Sequence, residues 1–280
     1  AAAMYEDFYG LRERPFDLTA NPRYLFLTPV HREALSALQY GLTSHKGVTL
    51  LVGEAGTGKT TVLRAVLDMV RSGNASVVHI SNPTLTRLEF FELLAGGFGL
   101  SAAASTSKTR LLAELESTAF QRRRGGGLTA LVIDEAQSLS AELIEEVRLL
   151  SNIETPVEKL LPIVLVGQPE LADRLNTQPF RQMKQRIALR AALRPLGPQE
   201  TAAYVAKRLR VAGGECSSIF TQRAIEAVYA RSRGIPRTIS VICDNALVTG
   251  FALERRPVDA DVVAEVVSDL DLVDASQAPT

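Results

Sequence analysis

Cysteine and histidine are scarce: two and three residues in a chain of 280. Cys216 and Cys243 lie far apart, with no paired-ligand spacing. Each reads as a small buried apolar residue in a reducing compartment. His31, His45 and His79 are scattered, and a metal centre built on imidazoles needs clustered ligands, so none is expected. Net charge is lacking as well. Thirty-one basic side chains balance thirty-one acidic ones, which removes any whole-molecule argument for nucleic acid or an anionic membrane surface and leaves only local patches. No signal peptide stands out, and no apolar run reaches membrane-spanning length. The chain as given therefore reads as soluble and cytoplasmic. Ala1-Ala2-Ala3, ahead of Met4, is set aside from the fold argument.

Apolar residues are plentiful, at 46% of the chain. That supports a packed core, and the length suits one large domain with a smaller one. Met4 to Leu27 is aromatic and punctuated by Gly10, Pro15 and Pro22, as in an ordered but irregular arm. Thr28-Pro29 then caps a helix running to about His45, with Leu35, Leu38 and Leu42 on one face.

From there strands and helices alternate. Short apolar runs at 48–52, 77–81, 128–133, 161–166 and 187–193 predict five buried strands. Helices are expected from Lys59 to Gly73, from a Thr86/Glu89 capping box to about Gly96, from Lys108 to Arg123, and from Ser140 to about Asn152. The small-residue stretch 97–107 reads as a loop. This order implies an α/β fold with a parallel five-stranded sheet. After Pro195 the rhythm becomes purely helical, at about 198–212, 221–232, 236–254 and 259–268. The expected division is an arm at 4–27, a sheet domain at 28–194, a helical lid at 195–268 and a frayed tail at 269–280.

Gly53-Glu54-Ala55-Gly56-Thr57-Gly58-Lys59-Thr60 matches G-x-x-x-x-G-K-T between a predicted strand and a predicted helix. The glycines let the backbone N–H groups curl toward phosphate oxygens, and the following helix points its positive end at the same place. Lys59 neutralises the outer phosphates, the Thr60 hydroxyl suits Mg²⁺, and the stretch through Thr61 forms the expected ATP site. Asp134-Glu135 ends the third strand. Asp134 is the expected Mg²⁺ partner, and Glu135 would orient or deprotonate the attacking water.

Three further positions stay open at this level. Gln168, after the fourth strand, either senses phosphate or is a polar loop residue. The basic run Arg181, Lys184, Arg186, Arg190, Arg194 is either a solvated face or the source of an arginine finger. Arg237, in Gly234-Ile235-Pro236-Arg237, either opens a capped helix or reaches over the phosphates.

These pieces together resemble the AAA+ P-loop superfamily, and within it the ExeA type of general secretion proteins. The residues carrying the closer likeness are Phe8-Tyr9-Gly10-Leu11, Pro15-Phe16, Asn21-Pro22-Arg23, His31-Arg32-Glu33-Ala34-Leu35, Asp134-Glu135-Ala136-Gln137 and Gly167-Gln168-Pro169-Glu170-Leu171. The resemblance implies Glu135 as catalytic base, Asn82 as a side chain restraining it, and Gln168 at the sensor-1 position. It further implies Arg186 as finger with Arg181 second, Arg237 as sensor 2, and an adenine pocket along 21–31. It also implies ATP and Mg²⁺ as ligands, a ring-shaped homo-oligomer, a membrane-protein partner of a secretion apparatus, and in many relatives a membrane helix and periplasmic domain beyond the ATPase. An ATP-dependent DNA-binding regulator of transposition shares much of this core. For that alternative the Arg122-Arg123-Arg124 run and the segment from Phe180 to Arg194 would meet phosphates, and affinity would fall steeply with salt.

Overall fold

The computed structural model describes residues 4–18, 22–71 and 73–270. Asn21 of the expected adenine pocket and residues 271–280 of the expected tail lie outside them. The described residues pack as two units, one made of 29–54 and 59–193, the other of 4–28, 55–58 and 194–270.

The first unit is built on a parallel five-stranded sheet. Its strands are β1 (Val48–Val52), β2 (Ala75–Ile80), β3 (Leu128–Ile133), β4 (Ile163–Gly167) and β5 (Ile187–Ala192), in the order β2-β3-β4-β1-β5. β1, β3 and β4 are the interior strands, and nearly every residue in them is buried. This is why they read as continuous apolar runs rather than as alternating ones. β5 is an edge and alternates, so Arg190 is exposed on it. Helices cover both faces. One layer packs Leu38, Leu42, Val62, Leu63 and Val66 against Leu51, Val132 and Val164. The other packs Phe90, Leu94, Leu111, Leu115 and Val147 against Leu50, Leu131 and Leu165. The capping box at Thr86 forms, with Glu89 N–H donating to the Thr86 hydroxyl and Thr86 N–H donating to the Glu89 carboxylate at 2.7 Å.

Three helices in this unit were not expected. Ala102–Thr106 lies inside the predicted loop. Its alanines are the strongest helix formers, and Ala104 is fully buried, so packing supplies what five residues lack in length. Pro169–Asn176 starts with proline at its first turn, and Arg181–Arg186 precedes β5 directly.

The second unit is helical, with main helices Pro198–Val211, Gln222–Ser232, Pro236–Ala252 and Ala260–Asp269. The N-terminal segment is part of its core. Tyr5, Tyr9, Leu11 and Phe16 are buried among Val205, Leu209, Phe220, Ile242 and Val263. Arg208 locks this segment in place. Its guanidinium donates to Pro15 O at 2.6 Å, to Asp17 O at 2.8 Å and to the Tyr204 hydroxyl at 2.6 Å, and it lies 4.8 Å from the centre of the Tyr24 ring. Among the described residues no helix is long and apolar enough to cross a membrane.

Candidate functional site

β1 ends at Val52, and the glycine loop leaves from the C-terminal edge of the sheet, where ligands sit in open parallel sheets. Gly56 and Gly58 both take positive φ, +80° and +99°, a region nearly closed to other residues. This is the local reason for the glycine spacing. The helix Lys59–Arg71 begins at once, so its first amides face the loop.

Lys59 is buried, and its ammonium donates to the loop's own carbonyls, Gly53 O at 2.8 Å and Glu54 O at 3.0 Å. Burial pushes its pKa below the ordinary lysine value, while the Glu135 and Asp134 carboxylates act the other way. The group is thus a poorly hydrated cation in a pocket of backbone dipoles, suited to trade carbonyl oxygens for phosphate oxygens.

Opposite stands the acidic end of β3. Asp134 is buried. Its Oδ1 accepts the Glu135 N–H at 2.9 Å, and its Oδ2 accepts the Thr60 hydroxyl at 3.2 Å. A hydroxyl and a carboxylate that converge in this way form a hard oxygen donor pair of the kind that, with substrate phosphates, holds Mg²⁺. The residues present therefore fit that ion.

Glu135 is half-buried and has a left-handed backbone, with φ +52°. Its carboxylate accepts the side-chain amide of Gln137, two residues on. Gln137 Oε1 in turn accepts the Gln168 backbone N–H at 3.1 Å. Asn82, expected to restrain Glu135, instead accepts the Thr84 N–H at 3.2 Å in a local turn. The amide that contacts Glu135 is thus a glutamine from the same turn. Gln137 lies two positions past the acid, inside the 3₁₀ turn Ala136–Ser138, and its long side chain folds back to the carboxylate.

Gln168 is half-buried at the N-cap position of the helix Pro169–Asn176, where its side chain makes no capping bond. Its backbone, rather than its side chain, makes the contact with the Gln137 side chain. Arg186 is exposed at the end of its helix, as is Arg181 at the start. Thr60 and Thr61 are exposed on the first turn after the loop, Thr57 is fully buried, and Glu54 and Ala55 are exposed. Arg237 belongs to the helical unit together with the loop tip 55–58, where its backbone N–H donates to Gly56 O at 3.3 Å. Of the basic run 122–124, Arg123 is committed to a two-pronged ion pair with Glu158, at 2.9 and 2.7 Å.

A family model described as an AAA domain matches residues 42–175. General secretion pathway protein A of Aeromonas hydrophila is 41% identical over 250 residues, which is 89% of this chain and 45% of that protein. The chain thus spans less than half the length of that relative. Among solved structures, Drosophila ORC bound to DNA aligns over 99% of this chain and 68% of its own, at 19% identity and a TM-score of 0.70. The Aeropyrum pernix ORC2 protein in ADPNP–ADP complexes aligns over 91% and 71%, at 19% identity and a TM-score of 0.65. At such identities these two likenesses speak to fold alone. The sheet order, the glycine loop facing an Asp-Glu strand end, and the identity to the Aeromonas protein agree: the chain belongs to the AAA+ P-loop proteins of the ExeA type.

Proposed function

We propose that this chain binds ATP with Mg²⁺ and hydrolyses it, and that the cycle drives assembly of a secretion complex in the cytoplasm or at the cytoplasmic side of a membrane. The observation that carries the ATPase reading is the bond between Thr60 and Asp134. These residues are 74 positions apart, yet the fold brings the loop's hydroxyl onto the carboxylate of the acidic strand end. In this reading the loop amides and Lys59 take the phosphates, and Thr60 with Asp134 holds Mg²⁺, which supplies charge neutralisation there. Glu135 accepts a proton from the attacking water, Gln168 is the proposed first sensor of phosphate, and Arg237 the proposed second. The secretion role rests on the identity to general secretion pathway protein A over most of this chain. A membrane-protein partner belongs to the same reading.

The direct test is Lys59→Ala. Two charge-assisted contacts to phosphate are removed, each worth about 1.5–3 kcal/mol, so ATP affinity should fall at least ~100-fold in calorimetric titration. Native affinity in that variant would sink the site assignment.

Arg186 is the proposed finger, acting on a neighbouring subunit of a ring. Arg186→Ala chains alone should turn over ~10³-fold or more slowly. Mixing them with Lys59→Ala chains should restore part of the phosphate release, because each subunit can supply what its neighbour lacks. No recovery at any ratio in co-assembled rings rules out action in trans. The exposed position of Arg186 at the end of its short helix is compatible with such reach.

A further inference from the structure

We propose that Gln137 is a positioning residue for this site: its side-chain amide tethers the Glu135 carboxylate to the C-terminal end of β4. The inference rests on the ATPase reading above and adds a residue and a linkage to it.

The tether has two ends, and its chemistry fixes its direction. Gln137 Oε1 accepts the Gln168 N–H at 3.1 Å, and its Nε2 donates to Glu135 Oε2. Turning the amide over would set an NH₂ against an N–H and an oxygen against a carboxylate, so only one orientation satisfies both partners. The turn that carries Gln137 is itself clamped. Arg174 donates from one nitrogen to Gln137 O at 3.2 Å and to Leu139 O at 2.5 Å. The residue facing the amide on β4 is Gly167. A Cβ there would fall 2.8 Å from Gln137 Oε1 and 2.7 Å from a Leu171 methyl, so a side chain at that position would displace the tether.

The tether fixes Glu135 beside the C-terminal end of β4, one residue from Asp134, whose carboxylate meets the Thr60 hydroxyl of the helix that follows the loop. The amide bonds to Oε2, and proton abstraction needs one oxygen, which Oε1 supplies. Because the other end of the tether is the backbone of Gln168, a shift of the β4 end when phosphate arrives or leaves would move the base with it.

Two substitutions separate the tether from its framework. Gln137→Ala removes both bonds. Gln137→Glu keeps an acceptor for the Gln168 N–H but replaces the donor to Glu135 with a repelling carboxylate. In the full chain at saturating Mg-ATP, both should lower kcat about 10- to 100-fold, the range expected when a general base is misplaced but present. KM for ATP and the affinity for ADP should stay at native values, which also shows that the variants are folded. In a Glu135→Gln background neither substitution should cost further turnover, since residues acting as a unit are not additive. In the nucleotide-free protein, the Gln137 side-chain amide protons should lose their hydrogen-bonded shift in Glu135→Ala.

Native kcat in Gln137→Glu, a full additional loss in the Glu135→Gln background, or an unmoved amide resonance would each overturn the tether. Full turnover by Glu135→Gln itself would remove the base and take this role with it. Loss in Glu135→Gln beside native turnover in Gln137→Glu would remove the tether and leave the ATPase reading standing.

Discussion

Glu135→Gln is expected to bind Mg-ATP as tightly as the native chain and to release phosphate at least ~100-fold more slowly, since general-base participation contributes about 10²–10⁴ in rate. The substitution is nearly isosteric, and the new amide oxygen can still accept from Gln137. The tether, the turn and the Asp134–Thr60 contact should therefore survive. What disappears is the ability to take a proton. Lys59 and Thr60 are untouched, so binding measured by titration calorimetry should not change, and a single-turnover phosphate-release assay should show the loss. Equal release by the two proteins would remove Glu135 from the chemistry. Paired with Lys59→Ala, this separates binding from turnover: one variant loses the ligand, the other keeps it unreacted.

The second large effect concerns stability, in the helical unit. Arg208→Met should free the N-terminal segment. The guanidinium is buried and holds two backbone carbonyls, Pro15 O and Asp17 O, with the Tyr204 hydroxyl. Methionine fills much of the same volume but donates nothing. A buried acceptor left without a partner costs about 1–3 kcal/mol; Pro15 O bears this in full, whereas Asp17 is exposed and the Tyr204 hydroxyl keeps Ser240, so the loss should be about 2–3 kcal/mol. Hydrogen exchange of residues 9–18 should report it as protection lowered by ~10²-fold, through local rather than global opening. Arg208→Lys should recover only part, because an ammonium cannot reproduce the planar fork that serves all three oxygens. Unchanged protection in Arg208→Met would mean that the aromatic packing of Tyr5, Tyr9 and Phe16 suffices to hold the segment.

How far the sequence could be followed depended on the distance over which each feature is determined. β1, β3 and β4 were legible because interior parallel strands are apolar throughout, and the ends of the first four strands were marked by Gly53, Asn82, Asp134 and Gln168. The Thr86 capping box was legible because both of its partners lie within four residues. The helix Ala102–Thr106 was not. Five small residues carry no amphipathic period, and only their packing favours a helix over a loop. Pro169–Asn176 and Arg181–Arg186 were missed for a related reason. Eight and six residues give too few turns for a pattern, and the basic content of 181–190 drew attention to charge instead.

By itself, the sequence determined the parts of the candidate site that are contiguous. A strand, a run of glycines with free φ, a lysine and a helix start favour the observed tight loop locally, because sterics and backbone hydrogen bonding act within a few residues. Only the tertiary structure decided which groups face that loop. Placing β4 between β1 and β3 sets Gly167 beside Gly53, and the arrangement of the sheet brings Asp134 to Thr60. The same placement sets the Gln168 N–H against the Gln137 side chain. Within the helical unit, Tyr5, Tyr9 and Phe16 pack with Val205, Leu209 and Phe220. These are pairings between segments dozens of residues apart. They turn on sheet order and on individual rotamers, and no local rule of composition or spacing fixes either one.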